Sequence, residues 1–112
     1  MKPQVESIPR PEWSPLPQEG CSGVEGKVLS KSAVLCLAML RFQPNSTIHE
    51  HPADIEIDVI CLEGEGMTSI NGAEIPLKAD QKIRWPAGLP HRLWTEGATM
   101  TTLMVEHTNP AE

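Results

Sequence analysis

The sequence predicts an all-β chain, a small antiparallel barrel or sandwich, and three observations carry that prediction. Short runs rich in apolar and β-branched residues recur at intervals of about ten residues. Each run is closed by Gly, Pro, Asn or Asp. No segment combines a helical period with recognisable caps.

Residues 1–20 carry Pro3, Pro9, Pro11, Pro15 and Pro17, which forbid a regular helix and favour an extended arm. Such an arm is either disordered or laid over the barrel or a partner subunit, with Trp13 and Leu16 as anchors. An isolated Trp in a disordered tail has no packing role, which favours the second option. Residues 21–112 then form one domain. GVEGKVLSKS reads as a strand and turn, and AVLCLAMLRF as a longer buried strand closed by Pro44, Asn45 and Ser46. In IEIDVICL, Ile55, Ile57, Val59 and Cys61 share one parity, as a strand with one buried face requires. A turn is expected at GEG, residues 64–66, followed by the strand MTSI and a two-residue hairpin at Asn71-Gly72. AEIPL returns, with Pro76 best tolerated near a strand end or at an edge. KIRW, RLWT and MTTLMVEH complete the set, with turns at KADQ, at Pro86–Gly88 and at Gly97.

A chain of 112 residues has room for one core and not for a separate substrate domain. Its net charge of -6 opposes a polyanionic partner, because contacts to a nucleic-acid backbone need a positive surface. With no tyrosine and Phe42 as the only phenylalanine, a base-stacking platform is poorly supported as well. No apolar run is long enough to cross a bilayer, and the first residues hold no signal-peptide core, so no membrane partner is expected. Cys21, Cys36 and Cys61 form no CxxC pair and no even-numbered framework. Thiols in apolar runs act as small hydrophobes, and a reducing cytoplasm is the expected location.

Three histidines carry the candidate chemistry. His49 and His51 are two apart, so an extended strand projects both imidazoles from one face. His91 follows a turn shaped by Pro86, Gly88 and Pro90. Three nitrogens from two neighbouring strands suit a first-row divalent metal and leave positions for water or substrate. HxH alone is a weak signal, and two surface histidines beside Glu50 are an ordinary polar loop.

The segment HEHPADIEIDVICLEGEG resembles the first motif of cupins, and WPAGLPH resembles the P-x-G-x-x-H core of their second. The chain is thereby identified as similar to small single-domain, RmlC-like cupins; its WSPLPQEGC start also resembles, more weakly, anti-sigma-factor-type cupin domains. The resemblance implies a jelly-roll barrel, metal contacts on His49, His51 and His91, a divalent ion among Fe, Mn, Ni, Zn and Cu, and a homodimer. Cupins usually add an acidic or amide ligand after the two histidines. Glu56 has the four-residue gap after His51 but stands seven residues before Gly64, where six would select Ile57. If Val59 and Cys61 point inward, Ile57 joins them and Glu56 points away unless a bulge resets the phase. Two readings stand: three histidines plus Glu56, or three histidines with water in the remaining positions. The continuous apolar alternation favours the second. Asp80 stands where many cupins have glycine, and Asp tolerates the left-handed conformation such a turn needs.

Arg41, Trp85, Trp94 and His107 are candidate pocket residues. Arg41 or Arg84 can pair with a substrate carboxylate if it faces inward. Trp85 and Trp94 flank the metal-bearing turn and either shape the pocket mouth or cement a subunit contact. His107 is either an edge histidine or a proton-exchanging group. Glu50, Asp54, Asp58 and Glu106 are solvated carboxylates by default, with orientation of a ligand histidine as the sharper alternative. Met39, Met67, Met100 and Met104 serve as flexible core filler or line a lipophilic cavity. The function expected is a mononuclear metal-binding cupin acting on a small organic molecule. A non-catalytic sensing or binding module is the alternative, and a metal-free scaffold the third. The reaction and the catalytic residues do not follow from the sequence.

Overall fold

The computed structural model describes residues 2–108, so Met1 and residues 109–112, which complete the two expected ranges, lie outside the described residues. Among the described residues eight strands follow one another without a helix: β1 Arg10–Pro15, β2 Ser22–Lys31, β3 Leu35–His51, β4 Ile57–Ile70, β5 Ala73–Lys78, β6 Lys82–Trp85, β7 His91–Trp94 and β8 Met100–His107. All pairings are antiparallel, in the order β1-β2-β3-β7-β4-β5, with β6 added to β4 and β8 joining β3 to β4. Because β3 and β4 each pair with both β7 and β8, the four close on themselves as a barrel.

Two turns expected from the sequence are bends inside long strands. β3 does not stop at Pro44–Ser46. It leaves β8 after Phe42 and joins β7 at Thr47. Asn45 takes a φ of 58° at this corner and donates its N–H to the Glu96 carbonyl at 2.7 Å, so the backbone stays paired while its direction changes. β4 likewise runs through residues 64–66, leaving β6 and β8 for β5 and β7. Gly64 makes that corner at φ 77°, where an added Cβ would run into the Thr99 carbonyl. Pro44–Ser46 and residues 64–66, expected as turns that close a strand, instead interrupt a ladder within one. They bend the strand between two ladders and do not end it.

Asn71 and Gly72 form the hairpin at φ 51° and 85°, and Asp80 is left-handed at φ 70°. Pro76 lies on β5, the terminal strand of the sheet, where a missing N–H is tolerated. The inward stripe of each strand supplies the core: Leu40 and Phe42 from β3, Ile57, Val59 and Cys61 from β4, Trp85, Leu93, Met100 and Met104 from the rest. The arm contributes through Leu16, which packs on this core and donates its N–H to Val24. Trp13, half-buried, lies under the Lys27 ammonium at 4.8 Å and the Arg41 guanidinium at 4.3 Å.

Candidate functional site

A cavity of about 260 Å³ opens between the arm and one end of the barrel. Leu16, Val28, Ala38, Leu40, Ile48, Ile57 and Met104 make its walls apolar; Trp85, His51 and His91 form its inner end, and Arg10 and Ser14 of β1, Gln18 of the following loop and Lys27 of β2 border it. Glu106 also lines it.

His91, the first residue of β7, is only 1% exposed, and both its ring nitrogens are buried without a hydrogen-bond partner. One face of the ring stacks on Trp85 at 3.9 Å between centroids and 10° between planes. Trp85 is itself fixed: its indole N–H donates to Thr68 Oγ1 at 3.0 Å, and that hydroxyl donates to the Arg92 carbonyl at 2.8 Å. His51 meets His91 edge-on, with centroids 4.7 Å apart and planes at 72°. Burial, and then the neighbouring His51, push the His91 imidazole down to about 4; the nearby Leu89 carbonyl opposes this without hydrogen-bonding geometry. The site therefore presents a neutral imidazole whose lone pair has no internal partner.

His49 is not on the same face as His51. The pairing of β3 with β7 runs Thr47 to Trp94, Ile48 to Leu93 and then His51 to His91, so one extra residue is bulged into β3. An added residue resets the alternation of a strand. Ile48 and His51 both line the cavity, while His49 is exposed and packs against Gly20, where a Cβ would stand 2.6 Å from that of His49. His51 Nδ1 lies 2.7 Å from the His49 carbonyl oxygen, which leaves its Nε2 free. Among the described residues no three His, Cys, Asp or Glu side chains stand together as a metal cage. A divalent ion would find two imidazoles at the cavity end and an unpartnered nitrogen pair on His91; that donor chemistry fits, with His49 one bulge away.

Glu56 lies outside the cavity lining, accepting the Ala87 N–H on Oε2 at 2.6 Å, with Arg84 Nη1 3.8 Å from Oε1. Arg41, Trp94 and His107 do not line the cavity either. Arg41 pairs with Glu25 at 2.8 Å and Trp94 lies under Arg92 at 4.1 Å. His107 Nε2 contacts Asp58 Oδ2 at 2.8 Å, and Arg84 holds both oxygens of that carboxylate from Nε and Nη2 at 2.9 and 2.8 Å. This network sits on the outer face of β4, because Asp58 has the opposite parity to Ile57 and Val59. Sequence reasoning missed it, together with the arm residues Arg10, Ser14 and Gln18 at the cavity. The pairing of Asp58 with Arg84 follows from a β4–β6 register that no local pattern encodes.

The fold and the cavity define a small antiparallel barrel with a mostly apolar interior and a histidine-lined end. The Cupin domain family model matches residues 38–106, well over half of the chain, and the protein belongs to the cupin family. Among solved structures, the polyketide cyclase RemF from Streptomyces resistomycificus is similar with a TM-score of 0.82 at 18% identity, covering 100% of this chain and 83% of that one. A predicted oxalate decarboxylase from Thermotoga maritima gives 0.74 at 24%, covering 86% and 90%. An RmlC-like cupin from Shewanella frigidimarina gives 0.70 at 15%, covering 79% of each chain. At these identities the likeness shows the fold. No curated protein matches the chain. No helix among the described residues is long and apolar enough to cross a membrane.

Proposed function

We propose that the cavity takes up a small, largely apolar organic molecule together with a divalent metal ion. His51 and His91 hold the ion, while His49, turned to the other face by the bulge in β3, takes no part. The observation that carries this reading is the pair of unpartnered nitrogens on a fully buried His91. A buried polar group without a partner costs on the order of 1–3 kcal/mol, and folds retain such a cost where a ligand repays it. The metal, when bound, supplies a Lewis acid that polarises an oxygen of the bound molecule. The chain's own residues do the rest. Trp85 fixes the plane of His91, the His49 carbonyl fixes the rotation of His51, and the apolar walls with Leu16 of the arm offer a surface for the apolar part of the molecule.

Metal content by inductively coupled plasma mass spectrometry, on untagged protein purified without added metal, tests this reading beside His91→Ala. Near one equivalent of Fe, Mn, Ni, Zn or Cu, lost in the variant, supports the site. Folded protein that contains no metal and takes up none when supplied overturns the metal reading and leaves a binding module.

A further inference from the structure

The inward stripe of β8 runs Met100, Thr102, Met104 and then Glu106, so a carboxylate occupies a position where its strand otherwise places core residues. In register, Glu106 lies opposite Ile57 on β4, and Ile57 lies opposite Trp85 on β6. Glu106 and Trp85 are therefore two strands apart on one row and one face, on the order of 10 Å between backbones. All three line the same cavity, and Trp85 carries His91 on its ring. The row thus has an acid at one end, an aliphatic floor, and an aromatic wall backed by imidazole at the other.

Glu106 differs from Asp58, the buried carboxylate on the outer face of β4. Asp58 is bound by Arg84 and His107. Among the described residues Glu106 accepts no side-chain hydrogen bond; burial pushes its carboxyl up from its ordinary value, the Lys31 ammonium opposes this, and Arg10 and Lys27 line the same cavity. An unpartnered carboxylate in an apolar cavity is a stronger base than one in water.

We propose that Glu106 is the residue that exchanges a proton with the bound molecule, and that the cavity accepts small apolar carbon acids whose carbonyl oxygen lies at the His51–His91 end. This rests on the cavity reading above. In the step, the Glu106 carboxylate takes a proton from the carbon next to the carbonyl. The C–H electron pair moves into the new C=C bond and the carbonyl pair onto oxygen, giving an enolate at the imidazole end. Return of a proton from Glu106 to that carbon closes the cycle with no oxidant or further reactant.

The probe is 2-tetralone, its occupancy read from the Trp85 indole N–H resonance in ordinary-water buffer and its exchange from loss of its α-hydrogen signal in deuterated buffer, both by proton NMR. Wild-type protein should accelerate exchange above buffer, and Glu106→Gln, which keeps shape and removes the base, should lose at least about 100-fold of that rate while still shifting the indole signal. Glu106→Asp should recover part of it. A saturable indole shift with no exchange, or exchange unchanged in Glu106→Gln, overturns the role of Glu106 and leaves the cavity reading standing. No indole shift at all overturns both. Urea midpoints of the variants within error of wild type show that the losses are not unfolding.

Discussion

His91→Phe is expected to stabilise the metal-free protein by about 1 kcal/mol while abolishing its chemistry, and the magnitude follows from the geometry. Both ring nitrogens are buried without partners. At the low end of the range for an orphaned group, removing them returns about 2–3 kcal/mol. Phenylalanine keeps an aromatic face against Trp85, now 3.9 Å away, so the stacking contribution of about 0.5–1.5 kcal/mol is retained. The larger ring overpacks its surroundings at a cost of about 1–2 kcal/mol, part of which the open side toward His51 absorbs. The balance is a gain near 1 kcal/mol, or about 4 °C in Tm for a domain of this size. Urea unfolding followed by circular dichroism, with chelator present, measures it. A divalent ion at a hundred times its Kd should then stabilise wild type by about 2.7 kcal/mol and leave the variant unmoved, reversing their order. A loss of 1 kcal/mol or more in chelator would refute the reasoning, since it would mean that the nitrogens of His91 are satisfied in the folded protein.

Other perturbations test the fold that positions the site. Gly64→Ala combines left-handed strain with a Cβ driven into the Thr99 carbonyl and should cost about 3–4 kcal/mol, whereas Gly72→Ala, with nothing within 4 Å, should cost only about 1; equal costs in urea would remove the close approach as the reason for Gly64. Arg84 first, and His107, hold the Asp58 carboxyl well below the usual range against opposing burial. A depressed carboxylate pKa stabilises the fold above its unfolded value and is lost as pH falls below about 4, so acid unfolding of Asp58→Asn should be the shallower of the two in that window. If the two acid transitions superimpose, the network contributes nothing through protonation. Trp13→Ala removes the two cation contacts that pin the arm, each about 0.5–1 kcal/mol at exposed sites, and should raise hydrogen exchange at the Leu16 amide about tenfold. Unchanged exchange there would show that Leu16 anchors the arm without Trp13.

Much of this barrel was legible in the sequence because period and turn chemistry are local. The parity of Ile57, Val59 and Cys61 is that of the buried face, and Asn71-Gly72 turns as its residue types demand. Corners were less legible. Pro44–Ser46 and residues 64–66 carry the residue types of a chain reversal, and whether such residues reverse a strand or bend it depends on whether a second ladder waits beyond the corner. The same limit governs the candidate site. HxH fixes a common face only on an unbroken strand, and the bulge after Ile48 separates His49 from His51. Glu106 was within reach: extending the Met100, Thr102 and Met104 parity by one step places it inside.

The closing strand has a consequence for the order in which the molecule acquires its cavity. β8 joins Leu35 to His107 and Ile57 to Glu106, pairings between positions far apart along the chain. Loop-closure entropy makes such contacts late, after hairpins such as β4–β5 have formed. The β3–β7 pairs that bring His51 to His91 close a comparable length of chain, so the imidazole pair and the wall carrying Met104 and Glu106 form in the same late stage. A ligand that needs the whole cavity therefore binds the finished barrel alone and slows its unfolding, and a metal ion held by both His51 and His91 does the same.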